Sequence, residues 1–281
     1  MQLKMTQLFH LCAIEFHGPD AAAFLHNQTT AEIKGLAMYE STFASLCNPA
    51  GRVLATLLLQ RVEEGFLGLC AQALSDLVVT ELRRYIFRMK VTVRPRTDWV
   101  VVGLTEMTAA EDLMRIHTPH LDYGIVPHSE VLEPLGTMSV SPWKARELQH
   151  GINWLDEDTS GEYLPQMLGL DMLGAVSFTK GCYPGQEIII RIRHLGKLKR
   201  QPYICALTCA SSFDAGDKVS LHSEAGNADA EIVNVQEDSA GRCWLFLVVR
   251  CSEARKFDSL EASGRRFEFQ VCRRFDSRPE D

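Results

Sequence analysis

Lys180-Gly181-Cys182-Tyr183-Pro184-Gly185-Gln186-Glu187 is the stretch on which the reading of this chain turns. It runs on through Arg191, Arg193 and Gly196 to Lys199-Arg200. One thiol stands two residues after a lysine and just before Pro184-Gly185-Gln186-Glu187, a sequence able to open a helix. Exposed N–H groups at a helix start carry partial positive charge, and with Lys180 they would favour a thiolate at Cys182. A thiolate can be a nucleophile, a redox sensor or a soft metal ligand. The competing reading is a turn in which Gly181 and Gly185 matter more than the sulfur. Ile188-Ile189-Ile190 is β-branched, so a strand competes with the helix here.

The cations that follow, Arg191, Arg193, His194, Lys197, Lys199 and Arg200, stand in a segment with no acid from 188 to 200. Such a run reads either as a solvated face or as a patch for an anion. That anion could be RNA phosphate, the glutamate tail of a folate or an acidic partner protein.

Working outward, Gly18-Pro19-Asp20 precedes an apolar run and predicts a helix start. Ser41 to Cys47 and Arg52 to Gln60 read as strands joined by the turn Asn48-Pro49-Ala50-Gly51, and Phe66 to Cys70 as a third strand. Ser75 is expected to cap a helix whose apolar stripe is Val78, Leu82, Tyr85 and Ile86. Val91 to Val93 and Trp99 to Leu104 return to strand character, and Thr108 to Ile116 reads as helix. Ser141-Pro142-Trp143 opens a further helix that Gly151 stops. After Gln201-Pro202 only short strands remain, at Tyr203–Leu207, Lys218–His222, Glu231–Val235, Cys243–Val249 and Phe267–Val271. The expectation is an α+β chain with a region 1–201 and a C-terminal antiparallel barrel or sandwich, 202–281.

The 281 residues suffice for a large core, and 46% apolar with 23% charged residues is an ordinary globular balance. A net charge of −7 argues against broad nucleic-acid binding, though not against a local patch. No apolar run reaches membrane-spanning length and no signal core follows Met1, which predicts a soluble, cytoplasmic protein without a membrane partner. The nine cysteines are scattered with no CxxC pair, which reads as reduced thiols, most of them buried. Cys205 and Cys209 are poorly spaced for a zinc half-site, and no cysteine cluster surrounds Cys182, so no tightly bound metal is expected.

Taken together, these motifs resemble the YgfZ/GcvT-like family of folate-binding proteins, which are related to the glycine-cleavage T-protein and linked to iron–sulfur enzyme maintenance and tRNA modification. The resemblance rests first on the 180–187 signature. Asp20 to Thr30, Cys47 to Leu54, Tyr85 to Val91, Gly151-Ile152 and Glu162-Tyr163-Leu164-Pro165-Gln166 add to it, in the same order, from about residue 8 to 202. It implies a three-lobed fold around a folate-binding opening, ending in a β-barrel, with two lobes interleaved within 1–201. It also implies tetrahydrofolate or a derivative as ligand. Trp143 falls at a folate-contacting position and Leu11 near another, although a leucine cannot stack as an aromatic ring does. Without the family, Trp143 reads as a core anchor ahead of a ligand platform.

Gly181, Tyr183, Gly185, Gln186, Glu187 and Arg193 complete the signature around Cys182 and Lys180, with Arg191, Lys197, Lys199 and Arg200 as its basic patch. Where the T-protein turn carries two aspartates, this chain has Ala55 and Thr56 in Gly51-Arg52-Val53-Leu54-Ala55-Thr56. An alanine relays no proton, so glycine-cleavage aminomethyl transfer is not expected. The resemblance implies an accessory protein for iron–sulfur cluster assembly or repair, acting through iron–sulfur enzymes or assembly proteins and indirectly on tRNA. The alternative is a folate-dependent one-carbon transferase with a non-glycine substrate, in which Asp171, Glu162 or Glu187 stands in for the lost carboxylates.

Overall fold

The computed structural model describes residues 5–104, 113–128, 140–195, 198–208, 213–251 and 255–276. Three antiparallel sheets organise the chain. The first has five strands, and β2 (Leu11–His17) lies between β5 (Gly65–Ala71) and the edge strand β6 (Thr92–Pro95). β3 (Ser41–Cys47) and β4 (Val53–Val62) complete it as the expected hairpin, in the order β3-β4-β5-β2-β6. The hairpin turn is fixed by Asn48, whose Oδ1 accepts from the N–H groups of Ala50 and Arg52, both at 3.0 Å.

Helices α1 (Ala21–Gln28) and α2 (Ser75–Arg83) belong to this first unit. Asp20 precedes α1 but makes no capping bond to it; its Oδ2 instead accepts from the Lys90 N–H at 2.6 Å. Ser75 is the first residue of α2 rather than a cap, and the helix ends at Arg83. Tyr85 therefore leaves the expected stripe and is 41% exposed, while Ile86 still packs against the core.

The second sheet runs β1 (Met5–Gln7), β7 (Trp99–Leu104), β9 (Asp122–Pro127), β8 (Met114–His117). The helix expected over 108–116 is corrected here: Met114 to Ile116 are strand, and 105–112 lie outside the described residues. Helix α3 (Val140–Gln149) follows, with Pro142 in its first turn as expected, and Gly151 takes φ +74° beyond its end.

The third sheet has seven strands in the order β15-β14-β11-β12-β13-β10-β16. They are β10 (Gln201–Thr208), β11 (Lys218–His222), β12 (Ala228–Glu237), β13 (Arg242–Val249), β14 (Ser259–Ala262), β15 (Arg265–Glu268) and β16 (Val271–Arg274). The strand read over 267–271 is in fact the end of β15, a turn at Phe269-Gln270 and the start of β16. Those two strands form opposite edges of the sheet yet are joined by two residues, so the sheet must curl toward itself as a half-barrel.

Tyr203 to Leu207 of β10 and Cys243 to Val249 of β13 are apolar and buried at every position because both faces are covered there. Tyr203, Cys205 and Leu207 of β10 enter the core inside the curl, while Ile204 and Ala206 join the main core with the first sheet. β13 divides its residues in the same way, Leu245 and Leu247 to one side and Trp244, Phe246 and Val248 to the other. Seven described cysteines are free thiols, but Cys243 is disulfide-bonded, a departure from the expectation of nine reduced thiols.

Candidate functional site

The signature segment is built from long-range contacts. Between the 3₁₀ turn Pro165–Leu168 and helix α4 (Gln186–Leu195), the chain crosses the C-terminal end of α1. Lys180 is buried there. Its Nζ donates to the carbonyls of His26, Thr29 and Ala31, each at 2.6 Å. Those are carbonyls that the end of a helix and the turn after it leave open. Burial pushes the Lys180 ammonium down to about 8, against the pull of Glu32. All three protons of the ammonium are thus engaged with backbone oxygens, leaving none for the neighbouring thiol. The nearby backbone is stitched the same way: Ser177 N–H donates to Thr30 O at 2.8 Å, and Thr30 Oγ1 donates to Ala175 O at 2.6 Å.

Around this clip, Tyr183 is buried with its hydroxyl donating to Ser177 O at 3.2 Å, and burial raises its phenol. Gln186 Nε2 donates to Lys180 O at 3.0 Å. Gly185 holds φ +79° directly against the hairpin turn, where a β-carbon would lie 2.4 Å from Gly51 Cα. Gly181 has open space around it, and Cys182 is exposed. Residues 188–190 are helical, so the thiol does precede a helix start, as α4 requires.

Glu187 is exposed and pairs with Arg191 at 2.6 Å, and the Arg193 guanidinium lies 4.1 Å over the Phe178 ring. Lys199 is exposed. Arg200 lines a separate hollow of about 520 Å³ on the seven-stranded sheet, with Lys218 and Glu231. Gly196 and Lys197 lie outside the described residues. Of the basic patch, Arg191 thus stands on α4 and Arg200 at the approach to β10.

A second constellation escaped the sequence reading. Between the first sheet, helix α3 and β12 of the third sheet, a cavity of about 510 Å³ is lined by His10, Gln72, Lys144, Glu147, Trp154 and Asn234, among others. Glu147 is 1% exposed on α3, and its carboxylate is the hub. Its Oε1 accepts from Tyr123 Oη and Trp154 Nε1, both at 2.9 Å, and its Oε2 meets His10 Nε2 at 3.1 Å. Burial and the neighbouring Glu147 charge hold the Tyr123 phenol well above its ordinary range, so it stays a donor. A buried carboxylate is tolerated only when it is hydrogen-bonded in this way. One signal for it was legible: Glu147 stands four residues after Trp143 on α3, an acid on the helix face that enters the core.

Trp143 itself does not line this cavity. It is 3% exposed, edge-on to Tyr123 at 5.8 Å, and its ring rests on Gly103, where a β-carbon would come within 2.5 Å. Among the described residues its buried Nε1 has no hydrogen-bond partner. Leu11 is likewise packed in the main core. Ala55 and Thr56 are buried in β4, with Thr56 Oγ1 donating to Asn153 O at 3.2 Å. Of the possible stand-in acids, Glu162 and Glu187 are exposed and Asp171 is half-buried. None of the three lines the cavity. No group of three or more His, Cys, Asp or Glu among the described residues is placed to hold a metal ion.

No family model matches the chain. Two curated proteins named tRNA-modifying protein YgfZ do. The one from Edwardsiella ictaluri (strain 93-146) is 27% identical over 231 aligned residues, covering 71% of this chain and 70% of the relative. The one from Klebsiella pneumoniae (strain 342) is 26% identical over 234, covering 73% and 72%. Among solved structures, the glycine cleavage system aminomethyltransferase T from Bartonella henselae superposes with a TM-score of 0.70 at 16% identity, covering 94% of this chain and 83% of that one. The chain is thus a homologue of the proteins named tRNA-modifying protein YgfZ, built on the T-protein fold, and its resemblance to the YgfZ/GcvT-like family stands on both sequence and fold.

Proposed function

We propose that the chain is a folate-binding accessory protein that supports the assembly or repair of iron–sulfur clusters, and through them tRNA-modifying enzymes. The observation that carries this reading is the cavity between the first sheet, α3 and β12. Its size falls in the range of small-ligand sites, and its lining sets the Trp154 ring and aliphatic side chains beside polar groups such as His10, Glu147 and Asn234. A reduced pterin presents N–H donors along one edge. Among the described residues Glu147 Oε2 meets His10 Nε2, and a carboxylate oxygen keeps acceptor capacity for a further such group. Lys144 at the rim suits the glutamate tail. The three sheets would serve as the three lobes around the opening.

Cys182, exposed at the start of α4, would act toward an iron–sulfur enzyme or assembly protein rather than toward the folate. The buried Ala55 and Thr56 leave β4 without a proton relay, which favours an accessory role over aminomethyl transfer. No described helix is long and apolar enough to cross a membrane.

The test is calorimetric titration of tetrahydrofolate into the native chain, Glu147→Gln and Trp143→Ala. Micromolar binding weakened about tenfold or more by Glu147→Gln is the expected result, matching the loss of a charge-assisted hydrogen bond. Equal binding by the native and Glu147→Gln proteins would remove the cavity from the reading. An effect confined to Trp143→Ala would move the pterin to the tryptophan.

A further inference from the structure

Between Leu82 and Thr97 the chain carries six cations, Arg83, Arg84, Arg88, Lys90, Arg94 and Arg96, and no carboxylate. This segment lies apart from the signature. Arg83 donates to Val93 O, Arg84 pairs with Glu81, and Arg94 and Arg96 both meet Glu15. Arg88 and Lys90 are exposed and form no ion pair among the described residues.

The turn that holds them, 84–90, also sorts its apolar residues. Ile86 and Met89 pack against the core, whereas Tyr85 is 41% and Phe87 86% exposed. Phe87 sits at φ +43°, a left-handed conformation that a bulky side chain adopts at a cost. The turn is clamped rather than loose. Met89 N–H donates to Ile86 O at 2.8 Å, and Asp20 bonds Lys90 through both its backbone N–H and its carboxylate. Gly18 presses so closely that a β-carbon there would lie 2.3 Å from Lys90 O. The backbone therefore holds the Phe87 ring out in solvent, just ahead of the exposed Arg88 and Lys90. Beside it runs β6, an edge strand with Thr92 and Arg94 exposed.

We propose that this turn and the edge of β6 form a contact surface for single-stranded RNA. Tyr85 and Phe87 offer ring faces to unstacked bases, and Arg88, Lys90 and Arg94 meet phosphates. Sequence-tolerant single-strand binding uses this pairing of stacking platforms with a cationic track. An acidic protein would engage the cations and leave both rings uncovered. An anionic membrane would draw in the aliphatic side chains of the turn, but Ile86 and Met89 face the core. The surface is separate from the cavity and stands whether or not a folate binds there.

The test is fluorescence anisotropy of a labelled single-stranded oligouridylate titrated with the full chain, with Phe87→Asn and with an Arg88→Gln/Lys90→Gln double variant. Asparagine tolerates a left-handed backbone, so Phe87→Asn is expected to melt no lower than the native protein, and lost binding then reads as lost stacking. Affinity should weaken about tenfold in Phe87→Asn, the loss of one stacked base. The double variant should flatten the slope of log K against log salt by about 1.4, two phosphate contacts on a single strand. Unchanged affinity in both variants would overturn the proposal. So would phosphatidylserine vesicle binding that Phe87→Asn abolishes while leaving the RNA titration untouched, an outcome that assigns the turn to lipid.

Discussion

Lys180 and Cys182 are two residues apart, yet the fold gives them opposite surroundings. The lysine is buried among three carbonyls and the thiol is exposed. A short spacing in sequence suggested that the ammonium tunes the sulfur; the hydrogen bonds tie it instead to the end of α1. Asp171 is the other titratable residue whose burial matters. Among the described residues its buried Oδ1 has no hydrogen-bond partner, and burial raises the carboxyl to about 6 despite the opposing pull of nearby backbone N–H groups and of Arg193. An unfolded aspartate titrates near 3.8. Between about pH 4 and 6 the folded state therefore holds the proton more tightly than the unfolded state. Stability is highest below that window and falls as pH rises through it. Asp171→Asn carries no titrating charge, so its melting temperature should stay flat from pH 4 to 6 relative to the native protein. At pH 7 it should be more stable by about 1–2 kcal/mol. Thermal melts across that pH range read the difference directly, and parallel native and variant profiles would contradict the assignment.

At the scale of elements, the contact between the β3–β4 turn and the start of α4 depends on two glycines meeting backbone to backbone. At Gly185 a side chain faces both a left-handed φ of +79° and atoms of Gly51 and Asn48 within 2.8 Å. Gly185→Ala should cost about 2 kcal/mol or more and loosen the thiol-bearing loop, visible as a lower urea midpoint and faster amide exchange at α4. An unchanged midpoint would mean the turn moves aside freely.

The hairpin itself was legible because Asn48-Pro49-Ala50-Gly51 separates two apolar runs, and α3 because Pro142 and Gly151 bracket it. Elsewhere local pattern and tertiary packing parted. Tyr85 and Ile86 continue the helical period of α2, but the chain leaves the helix at Arg83 so that Ile86 and Met89 can reach the core. Phe267 to Val271 alternates like one strand, yet turns at Phe269-Gln270 because its halves pair with β14 and β10. The signature was readable as a motif, whereas of the Glu147 hub only the acid on the core-facing side of α3 was. Its partners His10, Tyr123 and Trp154 meet that carboxylate only through tertiary packing, and no local spacing encodes them.

The whole molecule is held by a core that ignores the boundary near residue 201. One face of β10 and β13 packs with the first sheet in a single cluster, and Phe275, just past β16, joins the same cluster. Its ring fills the space over two left-handed glycines. A β-carbon at Gly151 or Gly169 would lie 2.1 or 2.3 Å from it. The last described strand is thus pinned to the segment that leads into the signature, and Phe275 N–H adds a bond to Pro202 O at 2.9 Å. Removing the ring leaves a cavity between rigid backbones that cannot collapse to fill it, so Phe275→Ala should cost about 3–5 kcal/mol. That corresponds to a melting temperature lower by on the order of 10 °C. Because the outward faces of β10 and β13 pack into this shared core, the native protein should unfold calorimetrically in one transition, and the variant in one transition at lower temperature. Two resolved transitions in the native protein, with Phe275→Ala shifting only one of them, would show that the half-barrel folds as a separate unit and that the shared core contributes little to its stability.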